Sequence, residues 1–245
     1  MVFENTRVYN FEGALRGMRN PMNSWAKSDS KFLRNCIPYD PFEEDTGKAK
    51  IQIFNTSVDE FDCVSIGEND MKLAQKLIRA GSEHRKFMRQ IFISVDITAP
   101  LYWWKEFDTY KVGTTANSTS TMHKIASKPI TLECFETDDY DSSLSLVDDC
   151  TIGIRVENFI DDLEQLRQKY LITNDKRYWK ELIRWLPESY LQKRTVTMTY
   201  ENVLSMIKQR NGHKLNEWSC ENDYANSFVK WARTLPFAND FIFIK

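Results

Sequence analysis

Residues 194–218 read RTVTMTYENVLSMIKQRNGHKLNEW, and the period of their apolar side chains changes once. Val196, Met198 and Tyr200 alternate with Thr195, Thr197 and Thr199, which predicts a half-buried strand opened by Arg194. Val203, Leu204 and Ile207 then recur at helical spacing, which predicts a helix stopped by Gly212 with Arg210 in its last turn. An arginine there has an ordinary role, because a cation complements the negative end of the helix dipole. Two arginines near His213 and Lys214 also match what planar, bidentate recognition of a phosphate or a uracil carbonyl needs.

Upstream of this segment, Tyr178, Trp179, Leu182, Ile183 and Leu186 fit a helix capped by Asn174 and ended by Pro187, and Val156 to Leu166 fits another. Residues 87–97 alternate, with Ile91, Ile93, Val95 and Ile97 on one face, which predicts a strand. Thr98 is expected to N-cap the next helix, with Pro100 in its first turn. Leu73, Ala74, Leu77 and Ile78 predict a helix closed by Gly81, and Ile51, Ile53 and Val58 a short strand and turn. The run DTYKVGTTANSTSTMHK (108–124) is too rich in Thr and Ser for a buried helix, and ETDDYDSSLSLVDD (136–149) reads as a solvated loop. Downstream, Trp218, Ala225, Phe228, Val229 and Ala232 predict one last long amphipathic helix. The expected organisation is an irregular N-terminal arm over 1–48 and a single α+β domain over 49–245. That domain has a small, mostly antiparallel sheet flanked by helices.

Composition narrows the function classes. The chain has 8 glycines in 245 residues, about half the usual share of ~7%. No two are spaced two apart, so neither GxGxxG nor GxxxxGK[ST] can be written, and a bound nucleotide must be held by side chains. The net charge of −2 gives no global field for a polyanion. Cys36, Cys63, Cys134, Cys150 and Cys220 form no close pair, which fits reduced thiols in a cytoplasmic protein. No apolar run is long enough to span a membrane, and the first residues lack a signal-peptide core.

Most other chemistry finds no pattern. His84, His123 and His213 form neither HxxxH nor HExxH, so no metal is expected, and no GxSxG elbow supports a serine nucleophile. Ser118 and Ser120, among neighbouring hydroxyls, suit a phosphate or water-filled pocket, or else a loop bonding its own backbone. Trp103, Trp104 and Lys105 could stack bases of a single strand, but helical aromatics are mostly core, so nucleic acid is disfavoured as a partner.

The order of features resembles the flavin-dependent thymidylate synthase family over roughly residues 66–233. The resemblance rests on EHRKFMRQIFISVDI with Glu83, His84 and Phe87, on Ala99-Pro100, and on LIRWLP, RTVTMTYENVL, MIKQR and GHKLNEW. It implies FAD held between subunits of a homotetramer, reduced by NADPH. Methylenetetrahydrofolate then supplies one carbon to a pyrimidine deoxynucleotide, turning dUMP into dTMP without a cysteine nucleophile. It implies Arg210 on the pyrimidine as the catalytic group, Arg194 on the phosphate with Ser118 and Ser120 in support, and His84, Lys111 and His213 at the cofactor.

Two departures stand out. The family's Arg-His-Arg triplet aligns with Thr109-Tyr110-Lys111, and the arginine of its Ser-x-Arg-Tyr run aligns with Thr121 or Met122. The register within 114–122 is open by one or two positions. Arg16, Arg19 and Lys27 are available to compensate. A catalytically diverged or inactive homologue, acting as a nucleotide-binding or interaction protein, is the alternative these losses imply, because charge-assisted bonds to phosphate are strong ones.

Overall fold

The computed structural model describes residues 1–33, 50–55, 61–147, 150–221 and 226–244. Its strands are β1 (Val2–Tyr9), β2 (Lys31–Leu33), β3 (Lys50–Asn55), β4 (Phe61–Ile66), β5 (Phe92–Pro100), β6 (Thr115–Ser118), β7 (Ser145–Val147), β8 (Cys150–Thr151) and β9 (Leu191–Thr199). The α-helices are α1 (Phe11–Arg19), α2 (Glu68–Arg79), α3 (Leu101–Phe107), α4 (Thr121–Lys124), α5 (Ile152–Thr173), α6 (Lys176–Arg184), α7 (Tyr200–Gln209), α8 (Asn216–Ser219), α9 (Phe228–Arg233) and α10 (Ala238–Phe241). The largest sheet has the order β1-β5-β9-β6, and β4 pairs antiparallel with both β2 and β3. The expected α+β class with a small sheet is what the chain forms.

Contacts divide the chain into two compact units, each assembled from several stretches of sequence. The first comprises residues 1–2, 97–109 and 117–194. Its α3 buries Trp103, Trp104 and Phe107, and the Trp104 indole N–H donates to the Gln192 carbonyl at 2.9 Å. Both tryptophans are core residues, at 0% and 1% exposure, so they offer no ring for a base to stack on. A second cluster packs Ile125, Ile130 and Phe135 against Ile160 and Leu163 of α5 and Leu182 of α6. Arg167 of α5 clamps this region. Its guanidinium donates twice to the Glu164 carboxylate, at 2.7 and 2.6 Å, and once to the Ala126 carbonyl at 3.1 Å. The Ile130 amide donates to Glu164 at 2.8 Å. Those hydrogen bonds from Arg167, opposed by burial, hold the Glu164 carboxyl at about 2.

The second unit comprises residues 3–96, 110–116 and 195–245. Its core is aromatic: Phe11 meets Tyr200 and Phe237 edge-on, at 5.5 and 5.4 Å, and Phe87 meets Phe241 at 5.8 Å. The buried Tyr200 hydroxyl donates to the Pro236 carbonyl at 2.8 Å, and burial pushes its phenol well above the ordinary value. Asp70 of α2, fully buried, accepts from Arg19 at 2.5 Å and from the hydroxyls of Ser28 and Ser30 at 2.6 Å each. Burial opposes ionisation there, and the hydrogen bonds from Ser28, Ser30 and Arg19 outweigh it, so the carboxyl lies below its usual range.

Several expected elements differ. The stretch 1–48 is not wholly irregular, because β1 and α1 occupy its first part; the boundary expected at residue 48 lies outside the described residues. Val58 and Ala225 lie outside them too. The strand expected from Phe87 begins at Phe92, after a 3₁₀ turn over Lys86–Gln90. It runs through Thr98 to Ala99, which as the residue before a proline is driven to extended backbone, and Pro100 itself precedes α3. Asn174 ends α5 in the left-handed region (φ 53°), and the Asp175 side chain caps α6 instead. Tyr200 begins α7 rather than ending a strand, because Thr199 and Asn202 form a reciprocal capping box. The acidic 136–149 stretch contains β7, which pairs with β8. The expected last long helix is divided among α8, α9 and α10, with Ser227 capping α9.

Candidate active site

In the second unit Arg210 follows the last turn of α7, where its amide donates to the Met206 carbonyl at 2.8 Å. Gly212 takes φ +67°, a conformation a side chain resists, and the chain reverses so that His213 returns to Arg210. The Arg210 Nε donates to the Tyr110 hydroxyl oxygen at 2.9 Å, and Nη1 lies 3.1 Å from His213 Nε2. The Leu215 amide donates to His213 Nδ1 at 3.2 Å, which fixes the ring. The guanidinium carbon is 5.0 Å from the centroid of the buried Trp218 ring and 5.5 Å from that of Tyr110, within cation–π range of both. Tyr110 is positioned by its loop. Asn202 of α7 donates to the Val112 carbonyl at 2.7 Å, and Gly113 turns the chain at φ +79°.

A cleft of about 540 Å³ opens beside this cluster, bounded by Lys208, Arg210, Asn211, Trp218, Arg233 and Phe243. Its size lies within the range of small-molecule sites. Arg233 lies 4.0 Å from the Phe243 ring centroid and donates to both oxygens of Glu221, at 2.9 and 3.1 Å. The cleft thus offers side-chain N–H groups and two aromatic rings, in keeping with a chain that has no glycine loop.

In the first unit Arg194 is a largely buried side chain on β9. It donates to Asp108 at 2.8 Å and to Gln192 at 3.0 Å, and lies 4.2 Å from the Trp104 ring centroid. Gln192 in turn donates to the Thr119 carbonyl at 2.9 Å, so Arg194 connects to the Thr/Ser run through Gln192. Within that run Ser118 is exposed on β6, and Ser120 caps α4 by accepting from the His123 amide at 3.0 Å.

The structure therefore brings Arg210 and His213 together and links Arg194, through Gln192, to Thr119, which lies between Ser118 and Ser120. His84 and Lys111 are both exposed, His84 in the turn before Lys86–Gln90 and Lys111 next to Tyr110. Glu83 and His84 thus do not open a strand directly. Tyr110 and Trp218 are the residues sequence reasoning missed as members of the site. Their signal was available, because Tyr110 occupies the centre of the altered triplet and Trp218 closes the segment that Arg194 opens. Among the described residues no three His, Cys, Asp or Glu side chains could hold a metal together, and Cys134, Cys150 and Cys220 are in no disulfide.

The fold is similar to that of flavin-dependent thymidylate synthase. Two solved structures of the Helicobacter pylori enzyme, both with FAD and dUMP, align over 99% of this chain and 98% and 97% of theirs, each with a TM-score of 0.57. Identity is 14% and 13%, so the likeness establishes the fold. No protein-family model and no curated protein matches the chain. Among the described residues no helix is long and apolar enough to cross a membrane.

Proposed function

We propose that this chain is a flavin-dependent enzyme of pyrimidine deoxynucleotide metabolism, converting dUMP to dTMP with FAD, NADPH and methylenetetrahydrofolate. The observation that carries the reading is Arg210. The fold, shared over nearly the whole chain with an enzyme solved with FAD and dUMP, coincides with an arginine braced by Tyr110, His213 and Trp218 beside a cleft of nucleotide size. The guanidinium offers flat N–H donors to a pyrimidine carbonyl and stabilises negative charge that develops there, a role worth a few kcal/mol. Arg194 and the hydroxyls of Ser118 and Ser120 serve the phosphate, and His84, Lys111 and His213 serve the cofactor. The aromatic rings and side-chain donors of the cleft fit a flat heteroaromatic group. The flavin, when bound, supplies the hydride chemistry. The reading carries with it a homotetramer in the cytoplasm.

A second reading is a diverged homologue that binds nucleotide without turnover. The pairing of Arg194 with Asp108, together with Thr109-Tyr110-Lys111 in the signature position, favours it. Complementation of a thymidine-requiring strain separates the two. Rescue is expected for the enzyme, and flavin and dUMP binding without rescue points to the diverged protein.

A further inference from the structure

We propose that Gln192 is a positioning residue for Arg194: its carboxamide ties the guanidinium to the backbone of Thr119 and so sets the arginine for an anionic ligand. The Gln192 Oε1 accepts from the Arg194 Nε at 3.0 Å, and its Nε2 donates to the Thr119 carbonyl at 2.9 Å. The partners fix which way the amide points, since a guanidinium only donates and a carbonyl only accepts. The Thr119 amide donates in turn to the Lys193 carbonyl at 2.9 Å. Both backbone groups of Thr119 are thus held by consecutive residues of β9, and Arg194 is held by the first of them.

Gln192 and Arg194 stand two apart on β9 and therefore share a face. Gln192 is 7% exposed and lies beside the buried Trp104. The Trp104 indole N–H donates to the Gln192 carbonyl at 2.9 Å, and its ring centroid is 4.2 Å from the Arg194 guanidinium carbon. An apolar side chain would fill this position without the cost of drying an amide. A glutamate would meet the guanidinium but set a second acceptor against the Thr119 carbonyl, and with Asp108 already 2.8 Å away it would cancel the charge. A glutamine meets both partners and adds no charge. With Nε on Gln192 and Nη1 on Asp108, the guanidinium cannot swing, and Nη2 has no hydrogen-bond partner among the described residues. That nitrogen is the one the bridge leaves to an oxyanion, which a pre-set arginine binds with less loss of freedom.

The proposal rests on the reading of Arg194 as the phosphate contact, and the test separates the two. The full chain, incubated with FAD, is titrated calorimetrically with dUMP and with the uncharged deoxyuridine. Arg194→Ala, Gln192→Met, Gln192→Glu and Arg194→Ala/Gln192→Met are treated alike, with far-UV circular dichroism to confirm folding. Arg194→Ala is expected to weaken dUMP about tenfold or more and Gln192→Met about fivefold or more, with deoxyuridine within about twofold throughout. Gln192→Glu, of the same shape, should lose at least as much as Gln192→Met. The double variant should match Arg194→Ala within about twofold, because Gln192 acts through the guanidinium. Unchanged dUMP binding in the Gln192 variants, an equal loss of deoxyuridine, or losses that add in the double variant overturn the proposal and leave Arg194 its role. Unchanged dUMP binding in Arg194→Ala, or no dUMP binding by the unaltered chain, removes the phosphate reading and the positioning role with it.

Discussion

The Nε of Arg210 donates to the hydroxyl oxygen of Tyr110 at 2.9 Å, one hundred residues away in sequence. In the resemblance read from the sequence Tyr110 takes the place of the histidine of the family's triplet, and its half-buried ring also faces Trp218, with centroids 6.2 Å apart. The phenol orients the guanidinium without adding a charge beside it. A hydrogen bond to a charged group contributes about 1.5–3 kcal/mol. Tyr110→Phe is therefore expected to weaken dUMP binding about tenfold to a hundredfold, measured by calorimetry, with an unchanged far-UV circular dichroism spectrum.

Arg194 and Asp108 make the opposite case. Asp108 is about half exposed, so the pair is worth about 0–1 kcal/mol and the fold does not depend on it. If Arg194 serves a phosphate, Asp108 competes for it. Asp108→Asn should tighten dUMP binding severalfold and leave deoxyuridine unaffected; weaker binding of dUMP in this variant would remove Arg194 from the site.

The buried pair of Arg19 and Asp70 is a stability element, since breaking one partner strands the other. Asp70→Asn is expected to cost about 3–5 kcal/mol in chemical denaturation. The sign with pH follows from the direction of the shift. Asp70 titrates below its unfolded value, so its contribution is fully present above the ordinary carboxylate range and is lost as pH falls through the folded value.

Glu164 gives a sharper window. Held at about 2 against an ordinary 4.5, chiefly by Arg167, it stabilises fully above pH 4.5 and loses that contribution as pH falls towards 2. By linkage the contribution is at most about 3 kcal/mol. The stability difference between the unaltered chain and Glu164→Gln should shrink over that interval. A difference that stays constant from neutral pH to the bottom of the window would contradict it.

Much of the fold was legible because periodicity reports burial. The alternation through Ile93, Val95 and Ile97 and the helical spacing of Val203 and Leu204 both appear as fully buried positions. Misplaced boundaries arose where a local side-chain bond decides the end, as at Thr199 with Asn202 or at Asp175 before α6. The β1–α1 start was hidden because Asn10 takes a left-handed turn between them and the helix carries two glycines. Arg210 and His213 were readable because they are local neighbours. The contact with Tyr110 was not, since no pattern within a segment reports a hydrogen bond across one hundred residues.

In the proposed reading the chain takes up FAD and binds a pyrimidine nucleotide at Arg210, with side chains holding them in place of glycine loops. An absorbance spectrum of the purified protein, before and after incubation with FAD and gel filtration, and again with dUMP, tests it most directly. The account predicts a yellow protein whose flavin band shifts on adding dUMP, and a loss of that shift in Arg210→Ala. A colourless protein that retains no added FAD would contradict it.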